Sequence, residues 1–450
     1  MKIIIIGAGL GGLACAISCL RAESGLSVLV LERAPDGGEI GAGIQIPPNG
    51  AKILERLGLL DKILDRGQTV QQVEFRRYED GRLLRGMPMG EQVVREFGVP
   101  WVIIHRQDFY QVLLEEAGRV GAEIRFGAEV TDVLFGLAGD GPEVLLAGGE
   151  RVQGDVVIGA DGLYSRTRDI VLEAPTRPQE TGDLAYRATF KKDQLDALDD
   201  PKVNELCIKT AITSWLGPDK HTIFYPVRGG EEFNLVLLRP DNLEQGTRRA
   251  QADVEEMRES YAGWDETLQK LISCVPAVTK WKLSHLPELQ TWTRGPVALL
   301  GDACHPTLPY QAQGAAMAVE DGFALGKLLG LLKQHKHLQD TQNTAEPTLL
   351  SPDSLRAQRQ IADVLTLYEA IRRARTTRNV QTAARNRRVF HIPDGMLQMA
   401  RDFLLGFMGV TKSADWTVLF SARMRYMLDH DLEGECERAF EKYRVSIGCS

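Results

Sequence analysis

The sequence predicts an α/β chain: a domain on a parallel sheet, interrupted by a second domain on a mainly antiparallel sheet, with helices at the C-terminal end. Three observations carry this. A strand–glycine loop–helix–strand pattern opens the chain, alternating strands take over from about residue 178, and a strand of the first kind returns after Pro296. The division expected is 1–177 for the first part of the parallel-sheet domain and 178–290 for the insertion. Residues 291–390 then complete the first domain with a long helix, and 391–450 form a helical region.

Lys2 to Ile6 is a β-branched apolar run suited to a strand buried on both faces. Gly7, Gly9 and Gly12 follow on the G-x-G-x-x-G spacing. The first glycine allows a tight turn, the second close approach of a pyrophosphate, and the third helix–strand packing. The helix from Leu13 to Ala22 would offer its N-terminal N–H groups to phosphate. A second strand, Leu26 to Leu31, ends at Glu32, which lies 20 residues past Gly12. An acid there suits a ribose hydroxyl and disfavours a 2′-phosphate, so this Rossmann-like unit should hold FAD or NAD rather than NADP.

Gly37, Gly38, Gly41 and Gly43 make a permissive loop, and Pro47-Pro48-Asn49 precedes a helix starting near Gly50. Residues 70–103 read as short strands, 107–118 as a helix, and the stretch up to Asp155–Gly159 as a three-stranded meander returning to a core strand. LAYRATF, ELCIKTAITSWLG, HTIFYPVRG and FNLVLLRP supply the inserted sheet, with a helical segment at about 251–274. VALLGDACHP is a buried strand entering a loop, and GAAMAVEDGFALGKLLGLL a helix. Residues 335–355 read as an exposed loop whose His335 and His337 are solvated rather than metal-binding. The basic end of a helix over 361–388 reads as a solvated face, and 396–447 as helices that pack or make a subunit contact. Monomer and homodimer both remain open.

A net charge of −8 offers nothing to nucleic acid. No apolar run reaches the ~18 residues of a transmembrane helix, and the N-terminus enters a strand at once, unlike a cleavable signal. Seven cysteines without a CxxC pair or Cys/His cluster suit reduced thiols, no metal and a cytoplasmic location.

GAGLGGL, the GADG of 159–162 followed by Ser165 and Arg168, and GDACHP at 301–306 stand in an order that resembles the flavoprotein aromatic hydroxylases. These are single-component enzymes of the para-hydroxybenzoate hydroxylase type, and GAGIQIPPNG and HRQDFYQVLL are similar to the salicylate hydroxylase branch. The resemblance implies that Gly7, Gly9, Gly12 and Glu32 hold the pyrophosphate and ribose of FAD. It places Ala42 and Gly43 along the flavin, Arg106 against the cofactor, Asp302 at the ribityl hydroxyls, and Gly314-Ala315 at the flavin pyrimidine edge. Asp161, with Gly162, would serve both FAD and the nicotinamide cofactor, unless it only closes a turn. His305 is expected to shape its loop rather than act as a base.

The activity so implied is a monooxygenase in which NAD(P)H reduces FAD, O2 forms a C4a-hydroperoxyflavin, and a phenolic or other small aromatic substrate is hydroxylated. Such chemistry needs a cation or hydrogen-bond donor beside the substrate oxygen, on a rigid element. Arg187 of LAYRATF is the first candidate, since family members often place an arginine in this strand. Alternation in HTIFYPV puts His221, Ile223 and Tyr225 on one face, making Tyr225 the second and His221 a weaker third. Two alternatives share the same motifs: a flavin-dependent epoxidase or rearranging monooxygenase on a larger natural-product intermediate, and an FAD reductase or dehydrogenase without oxygen transfer.

Overall fold

The computed structural model describes residues 1–22, 25–38, 41–136, 141–340, 352–410 and 421–448. Its first sheet has six strands in the order Thr293–Arg294, Val297–Leu299, Val156–Gly159, Lys2–Ile6, Ser27–Leu31, Glu123–Arg125. All neighbours are parallel except the short edge pair, where Thr293 opposes Ala298. Ile3, Ile4 and Ile5 have no exposed surface, as a strand covered on both faces requires. Helix Leu10–Ala22 packs along helix Gly314–Asp340, and glycines make this close: a Cβ at Gly322 would lie 2.6 Å from the Cys15 nitrogen.

A second sheet has eight strands, ordered Arg249–Ala252, Val278–His285, Gln179–Lys191, Glu232–Pro240, Lys220–Val227, Ala211–Gly217, Gln72–Arg77, Leu83–Pro88. It is antiparallel apart from one parallel pair, Ala211–Gly217 with Gln72–Arg77. Two of its strands therefore come from before residue 178. The rear face carries Tyr186, Phe190, Phe233, Leu235 and Leu237 into a core with Met257, Leu268 and Leu271 of helices Val254–Ser260 and Glu266–Ser273. The front face faces the first domain.

Three local expectations change. Residues 70–103 include a helix, Gly90–Phe97, whose Val93 and Phe97 are buried one turn apart and which ends on Gly98 in the left-handed region. The expected loop 335–355 begins as helix, since Gly314–Asp340 carries through His335; residues 341–351 lie outside the described residues. The basic run in helix Pro352–Phe390 is not simply a solvated face, because Arg372 and Arg375 are buried.

Both arginines point at a carboxylate pair on the neighbouring helix. The Arg372 guanidinium donates to Glu320 Oε2 at 2.6 Å and Asp321 Oδ1 at 2.7 Å, and Arg375 donates to Glu320 Oε1 at 2.8 Å. Asp321 Oδ2 also accepts from the Gly301 N–H at 3.0 Å and lies 2.6 Å from His305 Nε2, while Asn49 Nδ2 donates to Glu320 at 2.9 Å. Burial raises the Asp321 carboxyl, but His305 and Arg372 outweigh it and hold the group below its ordinary range. Four charged side chains and a histidine thus share one dry site where every carboxylate is paired.

A second polar joint fixes the end of the long helix. His221 Nδ1 and His391 Nε2 lie 2.7 Å apart, beside the Tyr310 and Phe390 rings. Tyr310 donates to Asp183 at 2.7 Å, and Arg387 is paired with the same carboxylate. Burial pushes His391 down to about 4, and burial, with His391 beside it, holds His221 well below the ordinary histidine range.

Replacing Asp321 by Ala should lower the unfolding free energy by about 3–5 kcal/mol, because it leaves the two buried arginines with a single carboxylate and removes the acceptor of Arg372 Nε and the Gly301 N–H; urea denaturation measures this. The histidine pair is neutral in the fold and takes up protons on unfolding. Its contribution is present above the ordinary histidine pKa of about 6.5 and is lost as pH falls through the folded value near 4. The urea midpoint should drop across that window, and less so in His391→Gln.

Candidate active site

The opening glycine loop is shaped by contacts that admit no side chain. Gly7 has φ +106°, and a Cβ there would lie 2.5 Å from the Ala160 carbonyl oxygen. At Gly12 a Cβ would come within 2.1 Å of the Gly7 carbonyl oxygen. At Gly9 nothing lies within 4 Å of that position, leaving the outer side of the turn open for a pyrophosphate. Glu32 accepts from the Ala8 N–H at 2.8 Å and the Ala34 N–H at 2.9 Å. Its carboxylate braces this loop from the end of the second strand.

The second motif is joined to the third. Ser165 caps helix Arg166–Leu172 by accepting from the Arg168 N–H at 2.8 Å, and Asp161 braces that cap, accepting from Ser165 Oγ at 2.6 Å and from the Thr167 N–H at 2.9 Å. Arg168, fully buried, donates to the Ala303 carbonyl at 3.1 Å. The turn Gly301–Ala303 is therefore held by Arg168 on one side and Asp321 on the other. Asp302 is solvent-exposed on this turn, and the protein mass packed around it raises its carboxyl above the ordinary range by desolvation, partly countered by the charges of His305 and Arg106. His305 ties the loop to Asp321, and its ring lies tilted against Trp292 with centroids 5.1 Å apart.

A cavity of about 190 Å³ lies between this loop and the front of the eight-stranded sheet. Ala42, Gly43, Arg106, Gly314 and Ala315 line it, the last two where helix Gly314–Asp340 begins. The Arg106 N–H donates to the Ala42 carbonyl at 2.8 Å, locking the two segments together. Ala312, just before the helix, sits at φ +55°, a strained conformation for alanine that turns the chain along the cavity wall.

Arg187 and Tyr225 form the sheet side of the cavity with Ile223, Val236 and Leu238. The register explains this: Arg187 opposes Val236, which opposes Ile223, so all three share the front row, and Tyr225 follows two residues on. Tyr186, the next residue on the strand, goes to the rear core, its hydroxyl 3.3 Å from Glu256. His221 lies on the front face but is turned to His391 and does not line the cavity. The Arg187 Nε is buried without a hydrogen-bond partner, and burial lowers its pKa. Burial pushes the Tyr225 hydroxyl well above the ordinary phenol range, so it is a neutral donor.

Asn234 was not singled out by its sequence. Fully buried, it accepts from the Gly43 N–H at 2.9 Å and so fastens the glycine loop to the sheet. A Cβ at Gly43 would meet the Tyr225 ring at 2.5 Å, so glycine lets the ring close over the loop. The acid pair Glu320–Asp321 was also missed. The signal present was Arg372 and Arg375, three residues apart on one helix face, opposite the adjacent acids of AVEDG.

Residues 1–346 match the family model described as FAD binding domain. The chain is 40% identical over 407 residues to the FAD-dependent monooxygenase OpS4 of Beauveria bassiana, covering 89% of this chain and 88% of that protein. It is 37% identical over 339 residues to 6-hydroxynicotinate 3-monooxygenase of Pseudomonas fluorescens, covering 75% and 84%. A salicylate hydroxylase substrate complex shares the fold with a TM-score of 0.76, at 23% identity and 98% coverage of both chains. The family match takes in the glycine loop, the Asp302 turn and every residue lining the cavity. The chain belongs to the FAD binding domain family, and its relatives are FAD-dependent monooxygenases, aromatic hydroxylases among them.

Proposed function

We propose that this enzyme is a single-component monooxygenase that uses NAD(P)H and O2 to hydroxylate a small phenolic or related aromatic substrate. The observation that carries this reading is the pair Arg187–Tyr225, facing a one-ring cavity beside the Gly43 loop and the start of helix Gly314–Asp340. Bound FAD would supply the reduction of O2 and the transfer of one oxygen atom.

The chain's own residues do the rest. Gly7, Gly9, Gly12 and Glu32 receive the pyrophosphate and ribose, and Asp302 and Arg106 the middle of the cofactor. Ala42, Gly43, Gly314 and Ala315 flank the ring system, where helix N-terminal N–H groups stabilise negative charge. Asp161 holds the Ser165 cap and through it Arg168, which steadies the Asp302 turn. Arg187 is a desolvated cation with no carboxylate partner among the described residues. An anionic phenolate oxygen relieves that desolvation, and the cation in turn keeps the ring ionised and electron-rich. Tyr225 donates its hydroxyl hydrogen to the same oxygen, and Ile223, Val236 and Leu238 exclude water. The described cysteines are all free, which suits a reducing, cytoplasmic setting.

Arg187→Ala should retain FAD and lose roughly 10²-fold or more of hydroxylated product, read by mass analysis of the aromatic; product at the unmutated rate overturns the assignment. Tyr225→Phe should lose about tenfold. Gly12→Ala should yield a folded but colourless protein in the flavin absorbance band, because the added carbon closes the loop.

A further inference from the structure

The loop between Cys304 and Gly314 supplies one side of the cavity, through Leu308, Pro309 and Ala312. Three side chains pin it. At its start His305 Nε2 lies 2.6 Å from Asp321, and at its end the Gln313 and Asn49 amides exchange hydrogen bonds of 3.0 and 3.1 Å. The third pin stands between these two and reaches the inserted sheet. Tyr310 is buried with Ala185, Leu238 and Ala383, and its hydroxyl donates to Asp183 Oδ2 at 2.7 Å. Arg387 Nη2 donates to Asp183 Oδ1 at 2.6 Å, and Asn386 Nδ2 donates to the Tyr310 carbonyl at 3.4 Å. The end of the long helix therefore grips both the tyrosine and its acceptor. Burial and the Asp183 charge push the Tyr310 hydroxyl well above the ordinary phenol range, so it keeps its proton and donates.

Asp183 stands on strand Gln179–Lys191 four residues before Arg187, so both side chains project from its front face, about 13 Å apart along the strand. One strand thus carries the cation of the cavity and the anchor of the loop that faces it. Ala312, two residues past Tyr310, is held at φ +55°, a conformation that persists only where its flanks are fixed. Tyr310 fixes one flank and Gln313 the other. None of Tyr310, Asp183 and Arg387 lines the cavity itself. We propose that these three are positioning residues: they set the distance of Leu308, Pro309 and Ala312 from Arg187, and so hold the aromatic substrate in place and keep water out. The substrate part rests on the reading above that this cavity takes the aromatic ring; the fixing of the loop does not.

The test uses FAD-loaded enzyme carrying Tyr310→Phe, which removes one hydroxyl and keeps the ring, or Asp183→Asn. Quenching of flavin fluorescence by acrylamide, a neutral probe, reads access to the cavity without any substrate. Steady-state kinetics use the phenolic acid that the unmutated enzyme hydroxylates fastest. Each variant should raise the quenching constant severalfold and the KM for the phenolic acid about tenfold, the scale of one buried hydrogen bond to a charged group. The kcat for co-substrate oxidation should stay within about twofold, while product formed per co-substrate oxidised falls, as an open cavity admits water. The double variant should be no worse than the more affected single one, because both substitutions break one bond. An unchanged quenching constant in Tyr310→Phe overturns the proposal, as does a double variant whose KM effect is the product of the two single effects. If the unmutated enzyme hydroxylates no phenolic acid, the reading above fails, and the quenching constant alone still decides whether the tyrosine fixes the loop.

Discussion

The buried pair Glu320–Asp321 is the constraint on which the site depends. Two adjacent carboxylates at the heart of a helix interface would be prohibitive alone, and Arg372 and Arg375 make them tolerable. The arrangement then does more than neutralise charge. Asp321 grips the turn that carries Asp302 through the Gly301 N–H and His305, and Glu320 grips Asn49 of the helix after the glycine loop. Two distant segments of the chain, the turn from Gly301 to His305 and the helix carrying Asn49, acquire fixed positions from two carboxylates. A hydrophobic core of the same volume would pack as well but would not orient backbone N–H groups.

The inserted sheet completes the site by presenting different chemistry on its two faces. Alternation sends Tyr186 into the rear core and Arg187 into the cleft, and the rear helices hold the sheet rigid beneath the cavity. Asn234 and Gly43 then couple sheet to loop, one by a hydrogen bond and the other by having no side chain to obstruct Tyr225. The outcome is a desolvated cation and a neutral phenol donor on one wall and a helix N-terminus on another.

The parallel-sheet domain was legible because its signals are local: a glycine spacing, a strand ending in Glu32, and motifs in a fixed order. The front-facing Arg187 and Tyr225 were legible because a strand's period of two limits each side chain to one of two faces. What escaped was non-local. The basic stretch of helix Pro352–Phe390 read as solvated because composition alone does not show that Glu320 and Asp321 lie opposite it. His221 shared a face with Tyr225, yet only the packing of Phe390 and His391 decides that it turns from the cavity. Helix Gly90–Phe97 was hidden among short strands, its one clear marker being the terminal Gly98.

The central claim is that this site transfers one oxygen atom from O2 to an aromatic ring at the expense of a nicotinamide co-substrate. The most direct measurement is product mass after turnover of the FAD-loaded enzyme under isotopically labelled O2, with phenolic acids as substrates and NADH or NADPH supplied. The account predicts a product carrying one labelled oxygen, formed in proportion to co-substrate oxidised. Co-substrate oxidation that continues without O2, or a product whose new oxygen comes from unlabelled water, would contradict it.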